Sequence, residues 1–133
     1  MANRVLPRVQ AMVLCDEIEE SDQEPEVVHL TGVRAAIESP VFPLVVSQLC
    51  VFMHMSGHRG EANCHIEIEA IAKDEVIHES EPLTFSFVDP TVVEQVHFRL
   101  SNCVFPGPGV YYVQTYCGSK LICERPLKVR IEG

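Results

Sequence analysis

The chain has 133 residues, 47% of them hydrophobic and 22% charged, a composition that excludes a disordered tail and predicts one folded domain over 1–133. Its net charge of −9 sits largely in 16–26, where seven carboxylates stand without a base and leave 12 acids against 10 bases elsewhere. The lysines and arginines are scattered, so neither nucleic acid nor a membrane is an expected partner, and no apolar run reaches the ~18 residues of a membrane helix.

Taken in order, Met1 to Arg8 lacks an unbroken apolar stretch, which predicts no signal peptide and a cytoplasmic protein. Val9 to Cys15 reads as a strand with two apolar faces, as for a strand covered on both sides. The acidic segment 16–26 has no glycine for a tight wrap, and Ile18 stands where a calcium loop needs oxygen, so a solvated, mobile loop is expected. Val27 to Val33 is a second strand, with Gly32 marking a bulge or a close backbone approach. Residues 34–38 are expected to stay extended, because Pro40 and Pro43 leave no room for a helix.

Val45 to Met55 carries the strongest strand signal, ended by an exposed loop over 56–60. Its partner alternates Cys64, Ile66, Ile68 and Ala70 with His65, Glu67 and Glu69, a half-buried pattern. A longer strand is predicted from Val76 to about Val88, with Pro82 at an edge or bulge, then a short helical turn over 92–95 before the inward set Val96, Phe98 and Leu100. The two Pro-Gly pairs at 106–109 end that strand, and Tyr111 behind them is placed like the tyrosine corner of immunoglobulin-like sandwiches.

In the closing hairpin two rules compete. Gly118-Ser119 suits a two-residue turn, yet Tyr111, Val113, Leu127 and Val129 face one core only if the loop has an odd length or a bulge intervenes. Burial outweighs turn preference by roughly 1.5–3 kcal/mol per aliphatic side chain against about 1. The prediction is therefore Tyr111, Val113, Leu127 and Val129 buried and Lys128 and Arg130 exposed, with Gly118-Ser119-Lys120 as the loop or a bulge near Arg125-Pro126. About eight strands and no long amphipathic helix give an all-β fold, an antiparallel immunoglobulin-like β-sandwich, with a small closed β-barrel as the alternative.

The order of Leu14-Cys15-Asp16, Leu30-Thr31-Gly32-Val33, the Phe-Pro pairs at 42–43 and 105–106, Pro108-Gly109-x-Tyr111 and Glu124-Arg125-Pro126-Leu127-Lys128-Val129 resembles a family of uncharacterised small bacterial β-sandwich proteins. The resemblance implies a fold and no reaction. The acidic segment departs from it.

Chemistry-bearing residues are sparse. His54, His58 and His65 can meet at one loop end as metal ligands, whereas the neighbours Cys64 and His65 must point to opposite faces. Six cysteines without a C-x-x-C, each in or beside an apolar strand, read as buried thiols with no disulfide. No nucleophile elbow, zinc-protease motif or phosphate loop is present, so an enzyme is not expected and no cofactor is implied. The functional expectation is a protein-interaction or structural module, pairing with a partner protein or as a homodimer through a sheet edge or face; the alternative is a divalent-metal or small-ligand-binding sandwich.

Overall fold

A computed structural model describes residues 6–133; the N-terminal reading above rests partly on residues 1–5, which lie outside the described residues. Among the described residues there are eleven strands and one short 3-10 turn. The all-β expectation holds, with more strands than the eight anticipated.

The strands are β1 (Arg8–Cys15), β2 (Glu17–Glu20), β3 (Val28–Thr31), β4 (Ala36–Ser39), β5 (Leu44–Ser56), β6 (Gly60–Ala70), β7 (Glu75–Glu79), β8 (Leu83–Phe87), β9 (Glu94–Phe105), β10 (Gly109–Cys117) and β11 (Lys120–Ile131). One sheet runs β1-β5-β9. A larger one runs β4-β11-β10-β6, with β7 and β8 following one another along the same flank of β6. Between these sheets, inward side chains such as Leu49, Val51 and Met53 meet Ile66, Ile68, Val113 and Leu127, all fully buried. The hydroxyl of buried Thr115 reaches the Met53 sulfur at 3.3 Å, so a polar group in the core is held across the gap.

Several expectations need correction. The segment 76–88 is not one strand: Ser80-Glu81-Pro82 breaks it, Ser80 N and Oγ bonding the Ile66 backbone, so β7 and β8 pair separately with β6. Residues 92–95 form no helical turn, because Glu94 and Gln95 already pair with Met55 and His54. Residues 36–39 do more than stay extended; as β4 they pair in parallel with β11.

The acidic segment is the largest correction. Its first half is β2, which folds back on β3 as a hairpin over the outer face of the three-stranded sheet. Ile18, only 3% exposed among four acids, packs with Cys15, Cys50 and Phe52. Side chains of the sheet clasp the hairpin backbone: Gln48 donates to Asp16 O at 3.0 Å, Arg99 to Ile18 O at 3.0 Å and Gln95 to Glu26 O at 2.9 Å. This layer covers Cys15 at the end of β1 together with Cys50 and Phe52 of β5. Period-2 alternation points Glu17 and Glu19 to water while Ile18 points in.

Gly32 is a close approach, as anticipated. At φ +68 it lets Asp16 lie so near that a Cβ would stand 2.2 Å from its Oδ2, and Asp16 in turn pairs with the Arg34 guanidinium. The closing hairpin obeys both competing rules: Cys117 opposes Lys120 across the two-residue turn, and the register then slips between Tyr116–Leu121 and Thr115–Cys123. Ile122 is the inserted residue, not Arg125 or Pro126 as predicted, and the slip turns Leu121 to solvent while Tyr111, Val113, Leu127 and Val129 are buried with Lys128 and Arg130 outside. The Tyr111 hydroxyl donates to Gly107 O at 2.6 Å, four residues upstream.

Candidate functional site

The three histidines proposed as ligands do not converge. His54 is on the outer face of β5, its ring edge-on to Phe52, which alternation places on the hairpin-covered side. His65 is on the outer face of β6, across the whole sandwich, stacked on Tyr116. His58 sits in the loop after β5 with Nε2 3.0 Å from Glu61 O and its ring against Phe87. A strand fixes the face of each side chain, so proximity in sequence gave the wrong grouping.

His65 does gather two other ligand types. Glu67 shares its face two residues on, with Oε2 2.8 Å from His65 Nε2, and the β6–β7 register sets Glu79 directly opposite Glu67. One ligand atom from each of the three lies within 4.8 Å of the others. Two carboxylates opposed across strands repel each other. The row continues through Gln114 to Glu124, and Glu69 beside it titrates above the ordinary carboxylate range, raised by desolvation and then by its contact with Asp74. The β6–β7 flank of this outer face is thus acidic around His65.

A second feature is the seam between the sheets. On the β1 side it is closed: Arg125 Nε donates to Met12 O at 2.9 Å and Arg34 N to Leu14 O at 2.8 Å, so carbonyls that β1 turns away from β5 are already bonded. On the other side, among the described residues, β9 pairs with no strand but β5. There a groove of about 310 Å3 runs between Phe98–Ser101 of β9 and the segment from His78 to Leu83, with Glu79 and Glu81 exposed on its wall.

A third feature is a cleft of about 1000 Å3 at one end of the sandwich, walled by Arg8, His58, Arg59, Asn63 and Cys117. Sequence reading missed all three features, because the first depends on where the break at Ser80-Glu81-Pro82 sets the β6–β7 register and the other two on how segments distant in the chain pack together. Of the six thiols expected to be buried, Cys15, Cys50, Cys64 and Cys103 are, whereas Cys117 and Cys123 are half-buried; all six are free, and burial holds Cys64 up at about 12 and Cys103 at about 11. Among the described residues no helix is long and apolar enough to cross a membrane.

The model of a family described as "Family of unknown function (DUF6941)" matches residues 10–130, and the chain belongs to that family. No curated protein matches it.

Proposed function

Starting from membership of this family, we propose that the protein is a non-enzymatic protein-interaction module that takes up an extended, basic segment of a partner protein along the open edge of β9. The observation that carries the reading is the inequality of the two seams. β1 has its outward carbonyls at Met12 and Leu14 capped, whereas the twelve-residue strand β9 turns the backbone groups of alternate residues outward beside a groove. A strand added to such an edge gains a ladder of backbone hydrogen bonds, and side chains on alternate positions find the groove wall. Leu83, 41% exposed on that wall, offers apolar contact, and Glu79 and Glu81 offer charge. A net charge of −9 disfavours a second copy of this chain as the occupant. A non-enzymatic role is supported by the thiols of Cys15, Cys50 and Cys103, which desolvation pushes up, away from the reactive thiolate.

The test is titration of the labelled protein with a synthetic peptide alternating valine and lysine, followed by amide NMR. Shifts confined to β9 and the 78–83 segment are expected, with affinity reduced about tenfold by Glu79→Lys with Glu81→Lys. Shifts centred elsewhere, or formation of a dimer of the chain along β9 without peptide, overturn the reading.

A divalent-cation site is the second reading, favoured specifically by the His65, Glu67 and Glu79 ligand atoms within 4.8 Å. Saturable zinc binding by calorimetry, abolished in Glu79→Gln, is its expected result; retention of zinc by that variant refutes it.

A further inference from the structure

Four of the six cysteines form two directly opposed cross-strand pairs, Cys15 with Cys50 on β1 and β5 and Cys64 with Cys117 on β6 and β10. The pairs differ in register. Arg34 N binds Leu14 O from outside the β1–β5 ladder, which makes Leu14–Val51 a non-hydrogen-bonded pair and the next pair, Cys15–Cys50, a hydrogen-bonded one. On the other sheet Gly118 N donates to Asn63 O at 3.1 Å, so Gly118 and Asn63 take the hydrogen-bonded position and Cys64–Cys117 the non-hydrogen-bonded one. Opposed Cα atoms are ~4.5 Å apart there against ~5.5 Å, and both separations lie inside the range a disulfide spans, so access distinguishes the pairs.

Access differs as well. Cys15 and Cys50 are fully buried beneath the β2–β3 hairpin. Cys64 is also fully buried, but its partner Cys117 is half-buried and lines the end cleft beside Arg8 and Arg59. We infer that Cys64 and Cys117 form a redox-active dithiol, which exchanges with an anionic low-molecular-weight disulfide entering that cleft.

Cys117 Sγ attacks one sulfur of the incoming disulfide, forming a protein mixed disulfide and expelling the first small thiolate, which takes the Cys117 proton. Cys64 Sγ then attacks Cys117 Sγ, gives up its proton to the second departing thiolate and closes the β6–β10 disulfide. The protein loses two electrons and two protons, and the small disulfide becomes two thiols. The order follows from exposure, because Cys117 lines the cleft and Cys64 is fully buried behind it. The cleft wall carries the guanidinium groups of Arg8 and Arg59 against the one carboxylate of Glu61, a balance that favours a disulfide bearing carboxylates. This inference does not depend on the β9 edge and stands or falls separately.

Full-length protein is incubated with oxidised glutathione and mapped by non-reducing peptide mass spectrometry. A Cys64–Cys117 cross-link is expected in the native protein, with Cys15 and Cys50 unlinked. In Cys64→Ala the glutathione adduct on Cys117 accumulates about tenfold above the wild-type level, because resolution is lost. A persistent adduct on wild-type Cys117, an unmodified Cys117 in the folded protein, or a Cys15–Cys50 cross-link formed first overturns the inference. Wild-type mapping decides the matter even if Cys64→Ala fails to fold.

Discussion

Replacing Ile18 by alanine tests whether the acidic hairpin is a packed layer. The side chain is 3% exposed and touches the Cys15, Cys50 and Phe52 cluster, with Val28 and Leu30 at its margin. Three carbons are removed; at about 0.8 kcal/mol per methylene the transfer loss is about 2.4 kcal/mol. A cavity beneath the hairpin adds to this, so a total of roughly 3 kcal/mol is expected, within the range measured for large-to-small core changes. Urea unfolding reads it as a lower midpoint with unchanged slope, and heating as a loss of ~10 °C. Should the hairpin undock alone, the global midpoint moves less and the loss appears as faster amide exchange confined to 16–31. Glu19→Gln with Asp22→Gln serves as the control, since both carboxylates are exposed, and should shift the midpoint by under ~0.5 kcal/mol. If Ile18→Ala behaves like that control in both global unfolding and local exchange, the hairpin is not packed on the sheet and the argument fails.

Gly32→Ala should cost about 2 kcal/mol, from a left-handed backbone angle and a Cβ driven into Asp16, with Asp16→Ala in the same chain relieving only the second part; an unaltered midpoint refutes this. His97 makes stability fall in acid. Desolvation lowers its pKa below the ordinary 6.5, opposed by Glu20 and aided by Arg99, so the unfolded chain takes up a proton that the folded one refuses. Its contribution is fully present above pH 6.5 and is lost as pH falls through the depressed folded value. His97→Leu should flatten the dependence of the urea midpoint between pH 7.5 and pH 5, measured about 0.5 pH unit apart; parallel profiles for the two proteins contradict it.

Strands whose burial rests on their own alternation were legible: Cys64, Ile66, Ile68 and Ala70 in β6, and Tyr111, Val113, Leu127 and Val129 in the closing hairpin. β2 was not, because one isoleucine among carboxylates gives no periodic signal over four residues. Its destination left a trace nonetheless. Cys50-Val51-Phe52-Met53 is apolar without a break, which marks β5 as covered on both faces, and only the acidic segment was free to supply the cover. The site was harder to see. His65 could be placed on an outer face from alternation, but that Glu79 opposes Glu67 depends on the break at Ser80-Glu81-Pro82. The bulge was demanded by parity and its position was not, since any residue between the turn and Leu127 restores the phase.

The place of β11 dictates an order of events during synthesis. It lies between β10 and β4, and its residues 128–131 are the partners of β4. Each of β1, β5 and β9 has been synthesised by residue 105, so every strand of the three-stranded sheet is made before β11 begins. β4, made early, then waits for almost a hundred further residues before anything can bond to it. Until then the nascent chain displays an unpaired strand and an incomplete apolar face, and the final residues act as the bolt that closes both.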